Sequence, residues 1–217
     1  MEEIQNRIYK EGDKIYTENR NKGAKVYGES LKTKEGVEFR NWQPSRSKAG
    51  AAVMNGINLG LNDDDFILYL GAAAGTTVSH FSDITQNGFV YGVEYSETVI
   101  RELLELAEQR DNIAPILGDA RKPEEYQDLI KDQKVDVVFQ DISQRDQAEI
   151  FLKNTEKFLK DGGIGLLAIK ARSISSSREP REIYNEVRDK ITKELEIVDE
   201  TTLEPYETEH LFLKCKK

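Results

Sequence analysis

The chain has 217 residues, with 31 Lys plus Arg against 40 Asp plus Glu for a formal charge of −9, and its hydrophobic and charged fractions are 38% and 33%. Those values exclude collagen-like, low-complexity and charge-poor aggregating chains. With no apolar window near the ~18 residues of a membrane span, and an N-terminus reading Met1-Glu2-Glu3, they predict no membrane span, no secretion signal and a cytoplasmic location.

In chain order, the first stretch reads as hairpins. Arg7 to Lys10, Lys14 to Glu18, Ala24 to Leu31 and Val37 to Trp42 are short segments separated by Glu11-Gly12-Asp13 and Lys34-Glu35-Gly36 turns. From Pro44 the pattern changes to Ser-Arg-Ser-Lys-Ala-Gly-Ala-Ala-Val-Met, which predicts a small-residue helix capped by Ser45 and ending near Asn58 or Gly60. A boundary between two parts of the chain is expected at 43 to 60, with Trp42 as a core anchor between them. Residues 1 to 48 carry 11 basic and 8 acidic side chains, a charge of +3, whereas residues 49 to 217 carry 20 and 32, a charge of −12. So acidic a remainder argues against free, non-specific nucleic-acid binding.

Beyond the boundary, apolar runs alternate with helical patterns. Strands are predicted at Phe66 to Leu70, Phe89 to Val93, Asn112 to Leu117, Val135 to Phe139 and Gly163 to Ile169. Helices are predicted from about Ser96 to Arg110, Ile150 to Leu159 and Glu179 to Glu194. Near-continuous apolar strands alternating with helices imply an α/β fold whose parallel sheet is covered on both faces. The last two strands, Leu195 to Asp199 and Leu211 to Cys215, have no helical pattern between them and must lie antiparallel. Cys215 is the only cysteine, and His80 and His210 are the only histidines, so a disulfide or a cysteine- or histidine-built zinc site is not expected; His80 and Cys215 are assigned to packing.

In an open parallel sheet, ligands bind outside the carboxyl ends of the strands. The first strand of the large sheet ends at Gly71-Ala72-Ala73-Ala74-Gly75-Thr76-Thr77, where small residues let a ligand approach the backbone and the threonines open a helix. The spacing departs from G-x-G-x-x-G, which lowers the case for a dinucleotide. The second strand ends at Glu94, 23 residues after Gly71, where a carboxylate can accept from both ribose hydroxyls of an adenosine ligand. The third ends at Gly118-Asp119-Ala120, placing a carboxylate for an adenine amino group, and the fourth ends at Gln140-Asp141. Helix capping is the competing reading of any one of these carboxylates. Taken together they point to an adenosine ligand.

The fifth strand ends at Lys170 and the last begins after Glu209-His210, so Asp141, Lys170 and His210 are expected to converge, with Lys48 delivered from the preceding helix. A lysine desolvated beside other cations loses affinity for its proton and can serve as a base. The competing reading is a structural Lys170–Asp141 ion pair. Lys170, Arg172, Arg178 and Arg181 form a second basic excess in a Ser-rich stretch, read first as a solvated loop and, as a local excess, as softening the argument against nucleic-acid binding.

These residues form a pattern that resembles archaeal fibrillarin, the methyltransferase family of box C/D guide-RNA ribonucleoproteins. The resemblance covers most of the chain and rests on Trp42-Gln43-Pro44-Ser45-Arg46-Ser47-Lys48, Tyr69 to His80, Tyr91-Gly92-Val93-Glu94-Tyr95-Ser96, Gly118-Asp119-Ala120-Arg121, Phe139 to Gln144, Lys170-Ala171-Arg172-Ser173-Ile174 and Leu203-Glu204-Pro205-Tyr206-Glu207. It implies a Rossmann-like class I methyltransferase fold with a mostly parallel seven-stranded sheet, preceded by a small N-terminal β-hairpin domain. Residues 1–55 are then the N-terminal β-rich domain with its connecting helix, and residues 56–217 the S-adenosylmethionine-dependent methyltransferase domain.

The resemblance further implies 2'-O-methylation of ribose in rRNA, with tRNA as a second substrate, and S-adenosylmethionine as cofactor. It assigns cofactor contacts to Thr76, Thr77, Glu94, Tyr95, Asp119, Ala120, Asp141 and Gln144, beside the backbone of Gly71, Ala72, Ala73 and Gly75. It makes Lys48, Asp141, Lys170 and His210 the catalytic set, with Asp141 orienting Lys170. The partners it implies are a box C/D guide RNA, a Nop-domain scaffold protein and a kink-turn-binding ribosomal-type protein. Departures from the family's pattern are Ala73-Ala74 in the glycine loop and Arg145 after Gln144. A stand-alone methyltransferase acting on a small molecule or protein, a nucleotide-dependent oxidoreductase and a non-enzymatic docking subunit are the competing functions.

Overall fold

The computed structural model describes residues 1–130 and 134–217. The first strands are β1 (Glu2–Gln5), β2 (Ile8–Glu11), β3 (Lys14–Glu18), β4 (Leu31–Lys34) and β5 (Val37–Trp42), which form an antiparallel sheet in the order β1-β2-β3-β5-β4. The expected segment at Ala24 to Leu31 is not a strand. There the carboxylate of Glu29 accepts the N–H groups of Val26 and Tyr27 at 2.9–3.1 Å and folds the chain into a turn, so pairing starts only at Leu31.

The connecting helix α1 (Lys48–Met54) is shorter than expected, and its cap is Ser47 rather than Ser45. Pro44 opens a single 3-10 turn, Pro44–Arg46, which moves the cap two residues on. The Ser47 hydroxyl accepts the Gly50 N–H at 3.2 Å. The small residues of α1 serve close packing: a Cβ at Gly50 would lie 2.9 Å from the Trp42 indole nitrogen.

The larger sheet comprises β6 (Phe66–Leu70), β7 (Phe89–Glu94), β8 (Ile113–Leu117), β9 (Val135–Gln140), β10 (Leu159–Lys170), β11 (Glu196–Thr202) and β12 (His210–Lys216), in the order β11-β12-β10-β9-β6-β7-β8. β6 through β10 pair in parallel, whereas β12 is antiparallel to both β10 and β11, as the missing helix before it requires. Helices α2 (Thr76–Ile84), α3 (Ile100–Ala107), α4 (Gln147–Phe158), α5 (Ala171–Ile174) and α6 (Pro180–Ile191) provide the crossovers, while β8 is followed by 3-10 turns at Pro123–Glu125 and Gln127–Ile130. Among the described residues no helix is long and apolar enough to cross a membrane.

Side-chain alternation on β6 explains the layering. Ile67 and Tyr69 face a core shared with Trp42, Val78 and Phe81, whereas Leu68 and Leu70 face a second core with Phe151, Ile183 and Val187. The first core runs continuously from Ile8 and Ile15 of the small sheet to Phe139 and Phe212 of the large one. The two sheets are therefore packed as one body across Trp42, which has no exposed surface.

A buried polar network fills the same junction. Arg40 lies 3.3 Å from Glu29 and 3.1 Å from Asp83, and Arg110 lies 2.7 Å from Asp83, all with at most 1% side-chain exposure. Thr17 donates to Asp83 at 2.8 Å, and the His80 ring bonds Thr17 through Nδ1 and Tyr27 through Nε2, each at 2.7 Å. His80, expected only to pack, also stacks on Trp42 with centroids 4.9 Å apart.

Candidate active site

The parallel strands change direction of winding between β6 and β9, and their carboxyl ends meet there. Asp141 N–H donates to the Leu70 carbonyl at 3.0 Å, and Gly71 and Ala72 N–H both donate to the Val93 carbonyl at 2.9–3.0 Å. Gly71 has φ +82 and sits against the Asp141 backbone, where a Cβ would collide with the Asp141 carbonyl. This contact holds the two strand ends close beneath a cavity of about 280 Å³.

Gly71, Ala73, Glu94, Tyr95, Asp119, Ala120, Asp141 and Gln144, all expected from sequence, line that cavity. Glu94 is pinned by backbone: its Oε2 accepts Ala73 N–H at 2.9 Å and its Oε1 accepts Ser96 N–H at 2.8 Å. The first of these bonds holds Ala73 at φ +48, a left-handed conformation that costs a non-glycine residue roughly 1–2 kcal/mol. Asp119 is gripped by the Arg121 guanidinium at 2.9–3.1 Å, and that bond holds its carboxyl below the ordinary range. Tyr95 stands at the rim with 71% of its surface exposed.

Four expected contacts lie off the lining. Ala72 is buried, and Gly75 is a packing position, since a Cβ there would strike Leu103 and Leu106 of α3. Thr76 opens α2 beside it. Thr77 is also buried, and its hydroxyl donates to Ser47 at 2.8 Å, tying the start of α2 to the cap of α1.

The expected catalytic residues are gathered at the same rim but paired differently. Asp141 bonds Lys48, with oxygens 2.9 and 3.0 Å from the amine, and not Lys170. The reason is strand length. The β9–β10 ladder ends at Leu167 opposite Gln140, so Lys170 lies three residues farther, about 10 Å along the strand, while Asp141 leans toward β6. Among the described residues the Lys170 amine has no ion-pair partner, so neither the orienting role of Asp141 nor the Lys170–Asp141 pair is found. Lys170 is exposed and directly opposite His210 in the β10–β12 ladder. His210 is 4% exposed; its Nδ1 donates to the Thr208 carbonyl at 2.7 Å, and among the described residues its Nε2 has no partner.

Two of the four basic residues of the loop are neutralised by ion pairs. Arg172 forms a two-pronged bond to Glu209 at 2.5–2.6 Å, and Arg178 lies 2.7 Å from Glu186. Sequence reasoning passed over Arg121 and Gly118 as cavity residues. The signal was present for Arg121, two residues after a strand-end aspartate, where an Asx-type turn folds the two side chains together.

The Fibrillarin family model matches residues 2–217. The chain belongs to the fibrillarin family. A fibrillarin-like rRNA/tRNA 2'-O-methyltransferase from Pyrococcus horikoshii is 46% identical over 207 residues, covering 94% of this chain and 90% of its own. Among solved structures, a fibrillarin/Nop5p complex superposes with a TM-score of 0.91 at 41% identity, covering 100% of both chains. Aeropyrum pernix fibrillarin with natively bound S-adenosyl-L-methionine gives 0.84 at 43% identity, covering 93% of this chain and 88% of that one. The mostly parallel seven-stranded sheet and the preceding β-sheet of this fibrillarin-family chain thus agree with the fold expected from sequence.

Proposed function

We propose that the chain is an S-adenosylmethionine-dependent methyltransferase acting on the 2'-hydroxyl of ribose in rRNA and tRNA, guided by box C/D RNA within a ribonucleoprotein. The observation that carries this reading is the Lys48–Asp141 pair at the mouth of a strand-end cavity, with Lys170 and His210 at the next strand ends. The cavity suits a nucleoside-sized ligand: it is near the ~300 Å³ lower end of ligand pockets, and it offers carboxylates at successive strand ends.

Glu94, locked by two N–H groups, keeps lone pairs free for a ribose diol, and Asp119 for an amino group. The exposed Tyr95 ring is available to cover a planar base. S-adenosylmethionine, when bound, supplies a methyl group on a positively charged sulfur. Asp141 presents a carboxylate suited to a cation in the cavity, and Lys48 holds that carboxylate in place.

Lys48 is engaged by Asp141, whereas the Lys170 amine has no carboxylate partner among the described residues and is left to meet the substrate, so Lys170 Nζ is assigned to take the proton of the ribose 2'-hydroxyl. His210, whose Nδ1 is committed to Thr208, supports the acceptor sugar from beside Lys170 through the unpaired Nε2.

The acidic charge of residues 49–217 suits an enzyme to which RNA is delivered by partners. These are a Nop-domain scaffold protein, a kink-turn-binding protein and a guide RNA that reads sequence by base pairing, leaving this chain to recognise backbone and 2'-hydroxyl. The test is a methylation assay in which guide RNA and each scaffold protein are added one at a time. Site-selective methylation is expected only from the full set; efficient, selective methylation by the chain alone would remove the guide from the reading. Lys170→Ala should lower turnover by about 10²–10⁴-fold while leaving cofactor binding in place, and retained turnover would take Lys170 out of the mechanism.

A further inference from the structure

Lys170 is the last residue of β10, and on the β9 side of the strand it has no ladder partner, because pairing stops at Leu167. On the other side the Ala171 N–H reaches the Glu209 carbonyl at 3.2 Å. The vacancy beside β9 is filled by one side chain. Gln147, the first residue of α4 and fully buried, accepts the Lys170 N–H at 3.1 Å through Oε1 and donates to the Lys170 carbonyl at 3.2 Å through Nε2. Its second Nε2 hydrogen goes to the Gln144 carbonyl at 2.7 Å, in the loop that lines the cavity. Its own carbonyl accepts from Gln140 Nε2 at 2.7 Å, one residue before Asp141. Both donors and one acceptor site of the amide are thus in use and join the end of β10 to the 141–146 loop, while the Gln147 main-chain carbonyl ties in the end of β9.

We propose that Gln147 is a positioning residue: its buried amide replaces the missing strand partner of Lys170 and fixes the base relative to the cofactor loop. This rests on the assignment of Lys170 made above. No other side chain among the described residues bonds both the Lys170 backbone and the cavity loop. Because proton transfer depends on sub-ångström placement, freeing the end of β10 should act on the rate rather than on substrate binding.

The test uses the assembled particle with guide RNA and scaffold proteins, measuring single-turnover methyl transfer against pH, KM for RNA, S-adenosylmethionine affinity and thermal unfolding. Gln147→Met keeps the length and removes the three side-chain hydrogen bonds; the rate is expected to fall by about 10²-fold, with KM and cofactor affinity changing far less. Gln147→Glu keeps an acceptor for the Lys170 N–H but faces two carbonyl oxygens. Burial there drives its carboxyl toward the protonated form, whose O–H restores one donor. Its rate relative to the parent should therefore rise as pH is lowered, while the Gln147→Met ratio stays flat.

A parent-like rate for Gln147→Met while Lys170→Ala is inactive would overturn the inference and leave Lys170 as the base. Equal, pH-independent losses in both variants would reduce Gln147 to a structural residue. Turnover retained by Lys170→Ala would instead overturn the assignment of the base, and this inference with it. Should Gln147→Met not fold, the pH dependence of Gln147→Glu decides alone, a flat ratio counting against the proposal.

Discussion

The strand-end rim and the junction beneath the small sheet hold similar residues in opposite circumstances. At the junction, Arg40, Glu29, Asp83 and Arg110 are sealed from water and lie against opposite charges. At the rim, Lys48 and Asp141 keep 20% and 22% of their side-chain surface, and among the described residues Lys170 has no carboxylate partner. Residue type alone does not separate the two; burial and completeness of pairing do. The junction carries the fold, and the rim keeps valence for a ligand.

The sharpest way to break this contrast is to remove one aspartate from each region. Asp83→Ala leaves the buried Arg110 guanidinium without its carboxylate and Arg40 with Glu29 alone and should cost about 3–5 kcal/mol in denaturant unfolding, whereas Asp141→Ala should cost about 1 kcal/mol or less yet suppress methylation. Equal losses of stability would erase the distinction. Next in size is Glu94→Gln, which removes a charged acceptor and turns an NH2 donor on one backbone N–H; it should weaken S-adenosylmethionine binding by about ten- to a hundredfold in calorimetry and cost about 1 kcal/mol in unfolding.

The smallest effect sharpens the picture of the junction through pH. Burial first, then the charges of Arg40 and Arg110, hold the His80 pKa well below its ordinary 6.5. Below that pH the unfolded chain takes up a proton that the folded chain refuses, so stability must fall as pH drops, by at most about 1.4 kcal/mol per pH unit. The parent should show this slope between about pH 6.5 and 5.5 in thermal or urea unfolding, and His80→Gln should flatten it.

Much of the large sheet was legible because each buried strand is an apolar run whose alternate side chains serve opposite layers, as Ile67 and Leu68 do. Strand ends follow from strands, so Glu94, Asp119, Asp141 and Lys170 could be found without any structure. Their pairings could not. Asp141 meets Lys48 because α1 is carried across the rim by the Trp42–Gly50 contact, and no local pattern encodes that approach. The turn at Ala24 to Leu31 escaped for a related reason: its organiser, Glu29, is a buried carboxylate whose cost is offset by Arg40 from a different strand. Likewise the helix-forming pattern around Ser45 is real, but the Pro44 turn transfers the cap to Ser47.

The abutment of Gly71 on the Asp141 backbone makes position 71 a gauge of crevice width. Even a single methyl there is a wedge between two loops that are seventy residues apart in the chain, and it would spread the floor of the cavity without touching any group that reacts. Graded substitutions at this one site therefore offer a mechanical handle on the enzyme, in which the distance between donor and acceptor platforms is tuned while their chemistry is left as it was.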